Sequence, residues 1–219
     1  MKLMSIIKLN HISKSHDQPI IENINLTVKP GEFVVITGPS GCGKSTLLQI
    51  LGLLEPATSG EYFINDQLVN RCTPMQLAKL RQKSIGFVFQ RYHLIEHLNI
   101  IDNVLLPLQY GDKPLNPEDA LKRLKDFGIE HLAYKHPSQL SYGQQQRAAI
   151  ARAIIHHPHV ILADEPTGSL DDENAKIVMT QLRKLHSEGQ TIILITHNLE
   201  LIEETDTHYR IENKQLVQK

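Results

Sequence analysis

The sequence is poor in cysteine, in long apolar runs and in net charge, and each shortage removes a class of protein. Only two cysteines occur, Cys42 and Cys72, so no disulfide framework is available and both are expected as free thiols. The longest apolar runs, such as Val104-Leu105-Leu106-Pro107-Leu108 and Val160-Ile161-Leu162-Ala163, fall well short of the roughly 18–20 residues that a membrane span needs. Net charge is -1 with the histidines neutral, and no basic stripe exists to attract nucleic acid or an anionic surface. The opening residues Met1-Lys2-Leu3-Met4-Ser5-Ile6-Ile7 soon meet Lys8, Asn10 and His11, too polar and too soon for a secretory signal. There is no internal repeat and no low-complexity segment. What remains is a chain of 219 residues, 41% hydrophobic, able to bury a sizeable core and expected in the cytoplasm.

Against that background the segment Gly38-Pro39-Ser40-Gly41-Cys42-Gly43-Lys44-Ser45-Thr46 stands out. Glycine at its first and sixth positions followed by Lys and Ser is the phosphate-binding loop pattern, with chance odds on the order of one in a hundred. Its neighbours fit, because Glu32 to Thr37 is apolar and β-branched while Ser45 to Leu51 is helix-like. Glycines leave backbone N–H groups free to face anionic oxygens, which is the reason for Gly38, Gly41 and Gly43. Lys44 is then expected to reach the β- and γ-phosphates, Ser45 to give a hydroxyl to Mg²⁺, and Thr46 to touch the α-phosphate.

The rest of the chain reads as an α/β sheet with a helical insertion. Ile20 to Val28 alternates as a strand does, and Glu61 to Asp66, Ile85 to Gln90, Val160 to Ala163 and Thr191 to Thr196 are further strands. Helices are expected from Pro74 to Lys83 and from Asp172 to Ser187. From Arg91 to His157 the pattern turns helical, with Ile100 to Leu106, Pro117 to Phe127 and Gly143 to Ile155 as periodic segments and Pro107, Pro114, Gly128 and Pro137 as breaks. Twelve histidines occur, densest in His156-His157-Pro158-His159. Adjacent histidines on one element cannot share an ion, and no Cys or carboxylate lies among them, so they are read as structural.

Val160-Ile161-Leu162-Ala163-Asp164-Glu165 is an apolar strand delivering two carboxylates at its end. Asp164 is the expected Mg²⁺ ligand, and Glu165, pointing elsewhere, the candidate to activate an attacking water. His197 closes a neighbouring strand. Ligands of open α/β sheets gather at the carboxyl ends of strands, so His197 should face the crevice shared by Gly38, Gln90 and Asp164.

With these residues in order, the sequence resembles the ATP-binding subunits of ABC transporters over essentially its whole length. Walker A is Gly38 to Thr46, the Q-loop glutamine is Gln90, the signature is Leu140-Ser141-Tyr142-Gly143-Gln144, Walker B ends in Asp164-Glu165, the D-loop is Gly168-Ser169-Leu170-Asp171, and the switch histidine is His197. The resemblance implies a P-loop NTPase cassette: a RecA-like mixed-sheet core with an antiparallel β-subdomain (1–90 and 158–219) and an inserted α-helical subdomain (91–157). It implies Glu165, His197 and Gln90 as catalytic residues, and Ser45, Gln90 and Asp164 around Mg²⁺. The loop Gly38, Pro39, Ser40, Gly41, Cys42, Gly43, Lys44, Ser45 and Thr46 would bind ATP, as would Ser141, Gly143, Gln144 and Asp171, with Ser141 and Gly143 reaching the γ-phosphate from a second cassette, expected to be identical, in a head-to-tail dimer. Two positions depart from the family pattern. Tyr142 stands where glycine is usual, and His16 stands where an aromatic residue usually stacks on adenine.

Within the family, Ile50 to Pro56, Asp102 to Leu108 and Asp164 to Asp171 are similar to the lipoprotein-releasing, macrolide-exporting and cell-division branch. That implies an integral membrane permease partner, no nucleic acid, and a position on the inner face of the membrane. The stretch after His197 has room for a closing strand pair and not for a regulatory domain. Leu94, Ile95, Leu98, Ile100 and Ile101 are either local core or contact with the permease. Of three rivals to transport, only the first remains. A membrane-coupled, cell-division type ATPase shares every motif, a chromosome ATPase would insert a coiled coil between Lys44 and Ser141, and a small-molecule kinase would leave the signature unexplained.

Overall fold

Period-two burial builds the first layer of the protein. In the computed structural model, which describes residues 5–109, 111 and 116–219, β1 (Ile7–Ser15) and β2 (Pro19–Val28) pair antiparallel with Ile7 opposite Val28 and Leu9 opposite Leu26. After β3 (Phe33–Thr37) and α1 (Lys44–Leu51), the strands β4 (Ser59–Ile64) and β5 (Gln67–Leu68) complete an antiparallel sheet in the order β2-β1-β4-β5. Readings that fall on Met1 to Met4, on Tyr110 and on Pro114 lie outside the described residues.

The second sheet has six strands. α2 (Pro74–Ser84) leads into β6 (Ile85–Val88). α3 (Ile100–Leu105), α4 (Pro117–Asp126) and α5 (Tyr142–Ile154) follow, then β7 (Val160–Asp164), α6 (Asp172–Ser187), β8 (Thr191–Ile195), β9 (Thr207–Glu212) and β10 (Gln215–Gln218). The order is β10-β9-β3-β8-β7-β6, with β9 to β6 mutually parallel and β10 antiparallel at the edge. Every residue of β3 and β8 is buried, as a parallel sheet covered on both faces requires. Alternation divides the core. Val34, Ile36, Leu162, Ile193 and Ile195 join the antiparallel layer and α1, while Phe33, Val35, Ile161, Ala163 and Leu194 join α3 to α6. The closing strand pair after His197 is β9 and β10.

One expectation fails. The segment from Arg91 to Asn99 is not helical but a loop, in which Tyr92 and His93 take φ values of 51° and 47°. Its second half is tied by one side chain: the Asn103 carboxamide, fully buried, accepts from Ile95 N–H at 2.7 Å and donates to the carbonyls of Ile95, Leu98 and Asn99. A satisfied buried amide replaces helical bonds there, which hydrophobic spacing cannot reveal. Ile100 and Ile101 are local core, with Leu94 packed against them. The histidines reach separate partners, His156 the Ile85 carbonyl and His159 the Asn65 amide, and Cys42 and Cys72 are free thiols.

The register fixes what shares an edge. Ile36 pairs with Ile195, Asp164 with Ile195 and Val88 with Ala163, so the glycine loop, Gln90, Asp164-Glu165 and His197 all leave strands at the same end of the sheet.

Candidate active site

The glycine loop owes its shape to neighbours as well as to any ligand. Gly38 has φ 154°, and a Cβ on it would lie 2.7 Å from Cys42 Sγ and 3.1 Å from the Ile211 carbonyl oxygen. A Cβ on Gly43, at φ 101°, would lie 2.6 Å from the Ile21 side chain. At Gly41 nothing lies within 4 Å, so the loop is open above its middle. Lys44 Nζ donates to the carbonyl oxygens of Gly38 and Pro39 at 2.7 and 2.9 Å, folding the ammonium back over the loop. No side chain caps α1 and its first turn carries no acid, which leaves a partly positive helix start toward the loop. Ser45 is exposed and Thr46 half-buried.

Asp164 ends β7 half-buried. Burial, and then the adjacent Glu165, push its carboxyl above the usual range, while Lys44 pulls it down, so loop cation and strand-end carboxylates share one electrostatic neighbourhood. Glu165 has φ 45°, a conformation costly for a residue with a side chain. Its N–H donates to the Ile195 carbonyl at 2.9 Å. Its carboxylate is held twice: the Thr196 hydroxyl donates to Oε2 at 3.3 Å, and His197 Nδ1 lies 2.8 Å from Oε1. The Glu165 side chain is 15% exposed and that of His197 69%. Gln90 lies beside the turn after Glu165, since a Cβ on Gly168 would meet its Nε2 at 2.9 Å. The Ser169 hydroxyl donates to the Gln90 carbonyl and shares a hydrogen bond with Tyr92 OH.

The signature residues form a separate cluster at the start of α5. Ser141 is the N-cap: its hydroxyl accepts from Gln144 N–H at 3.3 Å, and Gln144 Oε1 accepts from Ser141 N–H at 2.9 Å, a reciprocal capping box. The Gln144 side chain is thereby turned back on its own helix. Tyr142 is 68% exposed, with its ring 6.3 Å from that of Tyr92. Gly143 has no room for a side chain, because a Cβ would lie 2.0 Å from Asn174 Oδ1. Asn174 is in turn bound by Asp171, which caps α6 by accepting from Asn174 N–H at 2.8 Å; these bonds hold the exposed Asp171 carboxyl below its usual range. α5 packs on β6, α3, α4 and α6, whereas α1 packs on β2 and β7. The glycine loop and the Ser141 cluster thus begin two helices that pack on different elements.

His16 follows β1. Its imidazole is mostly exposed, and Nε2 lies 3.5 Å from Glu55 Oε1, which also pairs with Lys14 at 2.8 Å. Among the described residues no group of three His, Cys, Asp or Glu side chains is placed to hold a metal. Magnesium on a nucleotide needs less, because phosphates and water supply most of its oxygens, and the Ser45 hydroxyl and the crowded Asp164 carboxylate are hard donors of the fitting kind.

Sequence reasoning named no role for Thr196, Asn174, Gln146 or Arg152. Gln146, wholly buried in α5, donates to the Pro166 carbonyl at 2.8 Å. The Arg152 guanidinium donates to the carbonyls of Tyr92 and His93, and burial lowers it to about 10. The available signal was a polar residue on an apolar face: Gln146 follows Gly143 by one helical turn and precedes Ile150 by another.

Comparison with known proteins identifies the family. The family model described as ABC transporter matches residues 21–168. The macrolide export ATP-binding/permease protein MacB of Psychrobacter cryohalolentis is 44% identical over 98% of this chain, which spans 33% of that protein. The chain therefore covers about a third of such relatives. An uncharacterised ABC transporter ATP-binding protein of Bacillus subtilis, YvrO, is 42% identical over 97% of this chain and 96% of its own length. Among solved structures, the dimeric post-hydrolysis state of the ATP-binding cassette MJ0796 bound to ADP and Pi superposes with a TM-score of 0.89 at 37% identity, covering 97% of each chain. The chain belongs to the ABC transporter family, as an ATP-binding and ATP-hydrolysing cassette.

Proposed function

We propose that two copies of this chain close head to tail around two ATP molecules and drive a separate membrane permease from the inner face of the membrane. In this reading Gly38 to Thr46 cradles the phosphates, Lys44 exchanges its two loop carbonyls for the β- and γ-phosphate oxygens, and His16 lies at the adenine. Ser141 and Gly143 of the second copy complete the γ-phosphate site from the start of α5, with Gln144 and Asp171 shaping that edge. Ser45, Asp164 and Gln90 would hold Mg²⁺, which when bound supplies positive charge to the phosphate oxygens. Glu165 takes a proton from water as the water oxygen bonds to the γ-phosphorus and the bond to the β-phosphate oxygen breaks. His197 holds the Glu165 carboxylate in position, and its remaining ring nitrogen is free for the phosphate.

The observation that carries this reading is the Glu165 carboxylate, fixed by Thr196 and His197 at the edge that also bears Lys44 and Asp164. An unattached carboxylate on a surface would be neither strained nor held twice. For the permease, support comes from an open apolar groove of about 640 Å³ lined by Leu54, Phe87, Phe89, His93, Leu106 and Arg152, among others. Among the described residues no helix is long and apolar enough to cross a membrane, so the spanning part would belong to other sequence. Of the drug, lipid-like, lipoprotein and peptide substrates that the resemblance implies for export or extraction, the 44% likeness to a macrolide export protein supports export of a drug. Boundaries of 91–157 for the helical subdomain, and 1–90 with 158–219 for the remainder, belong to the same proposal.

Glu165→Gln tests it. The amide keeps shape and loses the base, so the variant should bind Mg²⁺-ATP, stop turning over and accumulate as a dimer on size-exclusion chromatography. A monomeric, fully hydrolysing variant would overturn both the base and the dimer.

A further inference from the structure

We propose that Gln146 is a positioning residue for hydrolysis, tying the turn that carries Glu165 to the signature helix. The inference rests on the reading of Glu165 as the base. Glu165 opens a turn closed by the Gly168 N–H donating to the Glu165 carbonyl at 3.0 Å. With φ at 45°, Glu165 persists only if its surroundings hold it there. One tie is the Ile195 carbonyl in β8, which accepts the Glu165 N–H. The next residue, Pro166, has no N–H, so its carbonyl is the single backbone group it offers. Gln146 Nε2 donates to that carbonyl at 2.8 Å from a side chain that is 0% exposed. The strained residue is therefore bracketed by hydrogen bonds from β8 on one side and α5 on the other.

A second observation comes from the other end of the same carboxamide. Gln146 Oε1 is buried and accepts no hydrogen bond from any described residue. Burying an unsatisfied amide oxygen is unfavourable, and an apolar side chain of similar length would remove that cost while leaving the Pro166 carbonyl without its donor. Packing alone does not account for glutamine here; its donor does. Ser141 and Gln146 lie on the same helix five residues apart, so a shift of α5 as its signature end is seated moves the Pro166 carbonyl and, through it, the Glu165 carboxylate. Small displacements of a reacting group suffice to change rate strongly.

The test compares kcat and KM for Mg²⁺-ATP, together with thermal unfolding, in the full chain and in Gln146→Met, Gln146→Glu and Glu165→Gln. Gln146→Met should keep KM and unfolding temperature close to the parent while kcat falls roughly 10- to 100-fold. In Gln146→Glu the protonated carboxyl can donate to the Pro166 carbonyl and the ionised one cannot, so kcat relative to the parent should rise as pH falls from about 8 to about 6, burial having raised the carboxyl. Parent-like kcat in Gln146→Met while Glu165→Gln is inactive overturns the inference alone. Normal turnover by Glu165→Gln overturns the reading beneath it. If Gln146→Met does not fold, Gln146→Glu decides, and a pH profile parallel to the parent's overturns the proposal.

Discussion

His197 Nδ1 lies 2.8 Å from Glu165 Oε1, a contact joining the ends of two neighbouring strands. For Nδ1 to donate, the ring must carry its proton there, which leaves Nε2 directed away from the carboxylate. His197→Ala should lower the single-turnover hydrolysis rate about 100-fold while ATP affinity changes little. Thr196→Val, removing the weaker second bond, should lower it less. Rates equal to the parent's in both would show that the carboxylate needs no orientation.

Gly143 and Asn174 make a steric prediction. With Asn174 Oδ1 at 2.0 Å from the Cβ position, Gly143→Ala should destabilise the protein by about 1–3 kcal/mol. Asn174→Ala in the same chain should recover part of this, because the backbone N–H bond to Asp171 that caps α6 survives. Denaturant unfolding of the single and double variants decides; an undiminished Gly143→Ala is the adverse result.

Ser141→Arg should abolish turnover and leave ATP binding intact, since the signature acts on the nucleotide of the other copy in the proposed dimer. It should also cost about 1 kcal/mol through loss of the α5 cap. Tyr142 is mostly exposed, and Tyr142→Gly should retain most activity. Calorimetric ATP titration beside a phosphate-release assay separates the two effects, and normal hydrolysis by Ser141→Arg contradicts the sandwich.

Asp164 gives a pH prediction. Its carboxyl is raised in the folded protein, so the folded state binds that proton more tightly than the unfolded one, and stability is lost as pH rises through the folded value. Without nucleotide, Asp164→Asn should therefore unfold at a higher temperature than the parent at pH 7, the gap closing in acid. Calorimetric scans giving an equal or lower unfolding temperature at pH 7 would refute this.

His16 pairs with Glu55 rather than with any ring, so its use at adenine requires the imidazole to turn. His16→Tyr should tighten ATP binding by up to roughly 1 kcal/mol through added stacking area. Unchanged affinity in both His16→Tyr and His16→Ala removes His16 from the adenine site.

What could be read from residues alone was what repeats or ends an element. β3, β7 and β8 were legible as apolar runs, and α4, α5 and α6 as periodic segments between breaks. The glycine loop and the strand-end carboxylates followed because their chemistry depends on neighbours in sequence. The loop after Gln90 is not legible in this way: Leu94, Ile95 and Leu98 have helical spacing, and only the contact with Asn103 shows why they do not coil. The capping partners Ser141 with Gln144 and Asp171 with Asn174 do have the three-residue spacing of helix starts, whereas the buried donor of Gln146 is defined by Pro166, a partner that no spacing rule names.

The buried Asn103 carboxamide carries a kinetic consequence. Because it ties the loop at Ile95, Leu98 and Asn99 at once, that part of the loop is not expected to open by fraying from one end, as a helix does. The Ile95 amide should thus share its hydrogen-exchange protection with α3, the two segments opening together as one cooperative unit.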